Sequence, residues 1–157
     1  NKMMPSLLFT GNQFGRAAEA LGFYTGVFEN SAVGRKNYFA DDTPFAGKIT
    51  YAEFNLNNYP LVAMDGPGEH DYTFSEGVSF VVNCKSQEEI DYYWNKFTAD
   101  GGNESMCGWC KDKFGVSWQI VPSDIGQLLN NPVNGKSAMK AMFQMKKIDI
   151  ATLQNAI

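Results

Sequence analysis

The sequence has very little of what disulfide scaffolds, metal centres and membrane segments are built from. Its 157 residues include one histidine and three cysteines, too few for a disulfide framework, so a reducing compartment suits the chain. No apolar run approaches the roughly 20 residues that span a bilayer, and residues 1–5 are not followed by the apolar stretch of a signal peptide. We therefore expect a cytoplasmic protein with no membrane partner.

Excess positive charge is also lacking. Thirteen Lys and Arg residues stand against seventeen Asp and Glu, which gives a formal net charge of -4. A nucleic-acid-binding face needs clustered positive charge to meet the phosphates, so we expect no nucleic-acid partner. The hydrophobic fraction of 44% is typical of a globular chain, and the length suits one domain over residues 1–157.

What the sequence does contain is a pattern that occurs twice: an apolar strand, an amphipathic helix and then further strands. The first copy is predicted at 5–10, 15–28, 36–40, 48–56 and 59–65, and the second at 77–84, 86–99, 106–111 and 116–121. Such a unit cannot bury the apolar face of its helix alone, so we expect the two copies to pair their sheets. The fold class is therefore α+β, with two pseudo-symmetric modules at about 4–66 and 77–122, the second abbreviated, and a helical tail at 123–157.

Local signals support these elements. Ser86 and Glu89 fit a capping box at the start of the second helix, and Asn57-Asn58 suits a two-residue hairpin turn because Asn tolerates positive φ. Asp149 is a candidate cap for a last helix. The buried face of the first helix is predicted to carry Ala17, Leu21, Tyr24 and Phe28.

Several segments resemble the PhnB-like family, which is named for a 3-demethylubiquinone-9 3-methyltransferase and belongs to the glyoxalase/bleomycin-resistance/dioxygenase (vicinal oxygen chelate) superfamily. The most specific are Cys107-Gly-Trp109 and Asp112-Lys-Phe-Gly-Val-Ser-Trp-Gln-Ile-Val-Pro122. Parts of 79–83, 87–94 and 142–149 fit the same pattern. The resemblance implies paired βαβββ modules that form a curved sheet around a pocket, commonly in homodimers.

The resemblance also implies where metal-using relatives place their ligands. Gln119 occupies one such position, while the internal repeat puts Val62 at its mate, and Val cannot bind a metal. The first-strand positions, near 4–5 and 77–79, supply no imidazole or carboxylate, and one amide oxygen is not a metal site. His70 lies in a Gly-rich loop and is expected to be solvent-exposed. We predict no metal and no cofactor.

Cys107 and Cys110 form a C-x-x-C motif, which elsewhere marks thiol redox chemistry or zinc. Zinc would need two more ligands, and Cys84 with His70 could supply them. However, the motif falls in a predicted strand, where residues three apart point to opposite faces, and not at a helix N-terminus that would stabilise a thiolate. Incidental thiols are the favoured interpretation.

Strand alternation predicts which side chains face the pocket. Trp118 and Ile120 are expected to point to the helix layer. Glu53 is the only carboxylate predicted to face inward, which makes it and Gln119 the candidate catalytic residues. Glu53 is then a general base, a ligand anchor or a solvated carboxylate at the rim of the pocket. The predicted pocket residues are Tyr51, Glu53, Val62, Met64, Ser117 and Gln119.

Two functions remain open. The first is a metal-independent protein that binds a small molecule; the alternative is a metal-dependent lyase, isomerase or dioxygenase of the same superfamily. Methyl transfer is not expected, because residues 11–15 are too polar and too poor in glycine for a nucleotide-type loop, and no parallel sheet is predicted. A homodimer is expected, because the resemblance implies one and the Met-rich tail offers apolar surface.

Overall fold

The computed structural model describes all 157 residues and divides into two compact units, Asn1–Thr73 and Phe74–Ile157. The first unit consists of β1 (Ser6–Phe9), a 3-10 turn (Gly11–Gln13), α1 (Ala17–Val27), β2 (Ala32–Tyr38), β3 (Ile49–Leu56) and β4 (Tyr59–Asp65). The second contains β5 (Ser79–Cys84), α2 (Gln87–Thr98), β6 (Asn103–Glu104), β7 (Trp109–Lys111), β8 (Ser117–Pro122), α3 (Ile125–Leu129), α4 (Gly135–Met142) and α5 (Ile150–Gln154). No helix combines the length and hydropathy required to cross a membrane.

Each unit carries a four-stranded sheet of the same topology. The strand orders are β1-β4-β3-β2 and β5-β8-β7-β6, with the first strand of each module parallel to the fourth and the remaining pairs antiparallel. The predicted α+β class and the repeated βαβββ module are confirmed. The second module lacks no strand, but β6 has only two residues, which explains why the sequence did not reveal it.

In the first unit, α1 covers one face of the sheet. Tyr24 is fully buried and stacks on Phe54 of β3, with ring centroids 6.5 Å apart and planes 13° from parallel. Asp65, at the end of β4, is buried beneath the start of the helix. Its carboxylate accepts three backbone N–H groups, those of Gly15, Ala17 and Ile49, at 2.9, 3.1 and 2.9 Å. This anchors the loop before α1 and the start of β3 to β4.

The second unit repeats the arrangement with larger side chains. Phe97 of α2 stacks on Trp118 of β8 at 4.2 Å and 13°, so Trp118 points to the helix layer as predicted, and so does the fully buried Ile120. Asp112 is also buried. Its carboxylate accepts the backbone N–H groups of Phe114 and Val116 and the indole N–H of Trp118, at 2.9, 3.1 and 2.9 Å.

The buried face of α1 differs from the prediction at its end. Ala17, Leu21 and Tyr24 are buried, but Val27 completes the face, and Phe28 is a half-buried residue just beyond the helix. The helix ends at Val27 because Phe28 adopts an extended backbone, which turns its ring away from the predicted face.

The hairpin before β8 also differs from the prediction. A strand was expected from residue 106, but Cys107 and Gly108 have φ of 59° and 83° and form a turn, so β7 begins at Trp109. A Cβ on Gly108 would lie 2.8 Å from the carbonyl oxygen of Ile120 and 2.8 Å from Ile148. Only glycine fits this close approach.

Within the second unit, the C-terminal tail packs against β8 and α2. Ala138, Ile148 and Leu153 form a buried cluster, and Val121 of β8 packs against it together with Met142 and Met145. The Gln87 side chain joins the tail to α2, since its amide donates to the Ile148 carbonyl (3.0 Å) and accepts the Ile150 N–H (2.9 Å). Asp149 caps α5 as predicted. Helix α4 ends at Met142, so Met145 reaches the cluster from the following loop.

Candidate functional site

The open face of the first sheet, opposite α1, carries the predicted pocket residues of that module. Glu53 lies directly across from Val62 on β4, and Val62 pairs in turn with Ser6 on β1. Met64 pairs with Leu8, and the Ser6 hydroxyl lies 3.7 Å from the Met64 sulfur. The face therefore combines apolar side chains with a single carboxylate.

Glu53 is held by two neighbours on this face. The Tyr51 hydroxyl donates to its Oε1 at 2.9 Å, and Arg35 of β2 approaches the same oxygen at 3.3 Å. The Arg35 guanidinium also lies over the Tyr51 ring, 5.3 Å from its centroid. The Glu53 side chain is 40% exposed and that of Arg35 65% exposed, so this carboxylate is partnered and accessible to solvent.

In the second unit, the open face carries Ser117 and Gln119. Gln119 lies between Val81 of β5 and Trp109 of β7, and its amide donates to the Ser79 hydroxyl at 2.9 Å. Ser117 is 1% exposed, and its hydroxyl oxygen has no hydrogen-bond partner. A buried polar group without a partner is uncommon in native proteins.

A cavity of 260 Å³ opens beside Ser117. Its walls include Trp109, Lys111, Asn103 and Glu76. The Lys111 ammonium lies 2.6 Å from the Glu76 carboxylate. Because Lys111 donates a hydrogen bond to it and contributes its charge, the pKa of Glu76 is lowered from its ordinary value, with a further contribution from a backbone hydrogen bond.

A larger depression of 640 Å³ lies among the C-terminal helices. It is lined mainly by small side chains, and Lys140 is its only charged residue. No residue of either sheet lines the depression, and we do not treat it as a functional site.

The candidate metal-ligand positions carry a poor donor set. No group of three or more His, Cys, Asp or Glu residues is placed to hold a metal ion. The Gln119 amide nitrogen donates to Ser79, which leaves one amide oxygen as a potential ligand, and Val62 offers none. His70 lies in its loop as expected but is half-buried, because its Nε2 lies 3.0 Å from the Pro67 carbonyl and its ring packs on Tyr72.

The three cysteines are free thiols. Cys84 and Cys110 are buried, while Cys107 is half-buried in the turn before β7. The expectation that the whole motif lies in a strand is wrong for Cys107, as the positive φ shows.

Sequence reasoning missed three polar residues that complete these faces: Arg35, Lys111 and Glu76. Arg35 was outside the strand predicted at 36–40, whereas β2 begins at Ala32. Lys111 was assigned to a strand without a role. Once β7 is aligned with β8, alternation from Trp109 predicts the face of Lys111. No local signal places Glu76 beside it, because Glu76 lies outside the strands.

Two βαβββ modules, each with a helix on one face of its sheet, define the paired-module fold that the resemblance to PhnB-like proteins implied. The sequence model of the 3-demethylubiquinone-9 3-methyltransferase family matches residues 1–121. The chain belongs to this family, as its resemblance to PhnB-like proteins implied.

Solved structures share the fold. The PhnB protein of Bacillus cereus is 31% identical with a TM-score of 0.70, and the match covers 77% of this chain and 99% of that one. A Pseudomonas aeruginosa protein is 23% identical (TM-score 0.63, 76% and 96% covered), and an Arabidopsis thaliana gene product is 17% identical (TM-score 0.51, 76% and 97% covered). The last two indicate the fold alone. No curated protein matches the sequence.

Proposed function

We propose that this protein binds a small organic molecule on the open face of its first module, without a metal ion. The observation that carries the proposal is the Glu53 group: a carboxylate oriented by Tyr51 and paired with Arg35, beside Val62 and Met64. Ligand sites typically combine apolar walls with a few polar groups that fix the ligand's orientation.

The geometry allows Glu53 to exchange partners. An exposed ion pair contributes only about 0–1 kcal/mol, so a ligand N–H or ammonium can replace Arg35 at small cost. Tyr51 meanwhile keeps the carboxylate in place through its hydroxyl. We therefore assign Glu53 the role of ligand anchor, with Val62 and Met64 as the apolar floor.

Metal-dependent lyase, isomerase or dioxygenase chemistry fits these residues poorly. A divalent ion requires several N or O donors around one point. Gln119 supplies one amide oxygen, its counterpart Val62 supplies none, and Glu53 adds a single carboxylate, so the donors fall short of a metal site. The family name mentions methyl transfer, but the short polar turn at Gly11–Gln13 is not a glycine-rich nucleotide loop.

The first test is elemental analysis of the purified protein after incubation with zinc, nickel, manganese or iron. We expect less than stoichiometric metal in every case, because no cluster of donors is present. One metal ion per chain, lost in Gln119→Ala or Glu53→Gln, would contradict the proposal and favour the metal-dependent alternative.

The second test is a thermal-shift screen of small amines and neutral donors against the wild type and Glu53→Gln. A ligand anchored on the carboxylate should bind about tenfold or more weakly to the variant, since a hydrogen bond to a charged group is lost. Glu29→Gln is the matched control, because Glu29 is an exposed carboxylate of the same unit outside the sheet. Ligands that bind Glu53→Gln as tightly as they bind Glu29→Gln would refute the role of Glu53.

A further inference from the structure

A row of hydrogen-bond donors crosses the second sheet. Ser79, Ser117, Lys111 and Asn103 are successive register partners on β5, β8, β7 and β6, so their side chains lie side by side on the open face. The adjacent row contains Gln119 and the ring of Trp109. A line of hydroxyl, ammonium and amide donors therefore runs beside an indole ring.

Ser117 stands at the centre of this row. It is 1% exposed, lines the 260 Å³ cavity and leaves its hydroxyl without a partner. Leaving a buried hydroxyl unpaired costs free energy, and a ligand oxygen in the cavity would remove that cost. Its neighbour Lys111 can donate to the same oxygen group, because the two residues are cross-strand partners.

One cation of the cavity wall, Lys111, can bind a ligand anion by exchanging its partner. Lys111 is balanced only by Glu76, whose side chain is 62% exposed and can swing into solvent. The other carboxylate of the wall, Glu104, is already bound by the indole N–H of Trp94 at 2.9 Å and approached by Lys146 at 3.9 Å. A ligand carboxylate can thus take the place of Glu76.

We propose that this cavity binds the carboxylate of a single-ring organic acid. One carboxylate oxygen accepts from the Ser117 hydroxyl, the other from the Lys111 ammonium, and the ring lies against Trp109. The volume of 260 Å³ falls just below the usual range for drug-sized ligands, about 300–1,000 Å³, which restricts the ligand to one ring. The cavity lies in the second unit and the Glu53 group in the first, so this assignment goes beyond the proposed function and adds a second ligand class.

Calorimetric titration with benzoate, phenylacetate and nicotinate, each compared with its neutral amide, tests the assignment. We expect at least one acid to bind with a Kd of about 1 mM or tighter, and its amide to bind about tenfold or more weakly. Lys111→Met and Ser117→Ala should each weaken binding of the acid by about tenfold or more, since each removes a hydrogen bond to a charged group. Lys136→Met, at an exposed position on α4, should change nothing.

Three results would overturn the assignment: no acid binds, acid and amide bind equally, or binding survives Ser117→Ala unchanged, as it would if the hydroxyl met only water. Failure of this assignment and failure of the proposed function are distinguishable. If no acid binds, while a screening ligand requires Glu53 but not Lys111, the proposed binding function stands and only the carboxylate cavity is refuted.

Discussion

At the residue scale, two buried aspartates differ from the carboxylates of the open faces. Asp65 and Asp112 each accept three N–H groups inside their own unit, so their desolvation is compensated by charge-assisted hydrogen bonds. Glu53 and Glu76 are substantially exposed, and each is paired with one cation. The first pair stabilises loops, whereas the second pair can exchange partners with a ligand.

The burial of two of the three cysteines predicts which thiols react with a reagent. Burial raises the pKa of Cys84 and of Cys110 to about 12, with smaller contributions from Glu89 for the first thiol and from Asp112 and Glu104 for the second. At pH 8 only about one in 10⁴ of these thiols is ionised, and the thiolate is the reactive form. We expect a thiol-specific reagent to modify Cys107 alone in the native protein.

Counting modified thiols by mass spectrometry checks this expectation. The native chain should take up one label at pH 8, and the chain unfolded in guanidinium should take up three. Cys107→Ser should abolish native labelling. Rapid native labelling of Cys110 would contradict the burial and would reopen a redox role for the C-x-x-C motif.

At the scale of the elements, local signals succeeded where a single residue governs the backbone. Asn57 and Asn58 have φ of 49° and 64°, the geometry of the predicted tight hairpin turn. The capping box was right for Ser86, whose hydroxyl accepts the Glu89 N–H at 3.2 Å, but the Glu89 carboxylate accepts the N–H of Lys85, one residue before the cap, at 2.6 Å.

Ser86→Ala should lower the free energy of unfolding by about 1 kcal/mol, because one of the first N–H groups of α2 loses its acceptor. Urea unfolding followed by circular dichroism measures the change. Ser123→Ala is the matched control, since Ser123 is exposed and only its backbone N–H is engaged, with the Cys84 carbonyl. Equal stability of the Ser86 variant and the wild type would show that α2 does not depend on its cap.

Strand β2 shows where local signals fail. All seven of its residues are exposed, so the sequence has no buried alternation to mark the strand, and the prediction at 36–40 began too late. The structure starts β2 at Ala32, which places Arg35 against Glu53. Backbone pairing to β3, with register shifts along it, defines this strand in place of side-chain burial.

At the scale of the whole molecule, exposed apolar side chains of the C-terminal tail favour association of two chains. Phe143, Met139 and Val133 are 54%, 39% and 93% exposed, which is apolar surface that association would cover. We expect a homodimer, so light scattering at micromolar concentration should give twice the 17.5 kDa mass of one chain.

Phe143→Glu should shift the mass toward one chain, because the dimer would have to bury a charge. Tyr59→Glu, at a 55% exposed position of the β3–β4 hairpin, should leave the dimer intact. A wild-type mass of one chain would contradict the expected assembly, and a dimer unaffected by Phe143→Glu would exclude the tail as its interface.

The sequence by itself determined the class of fold, because hydrophobic periodicity and the repeated strand-helix-strand pattern are local properties. It also placed Tyr51 and Glu53 on one face, as their hydrogen bond confirms, since alternation along a strand needs no partner. Only the tertiary structure decided which side chains meet across strands. Strand register brings Arg35 to Glu53, and burial by distant residues leaves the Ser117 hydroxyl without a partner. Neither feature can be predicted from a local sequence pattern.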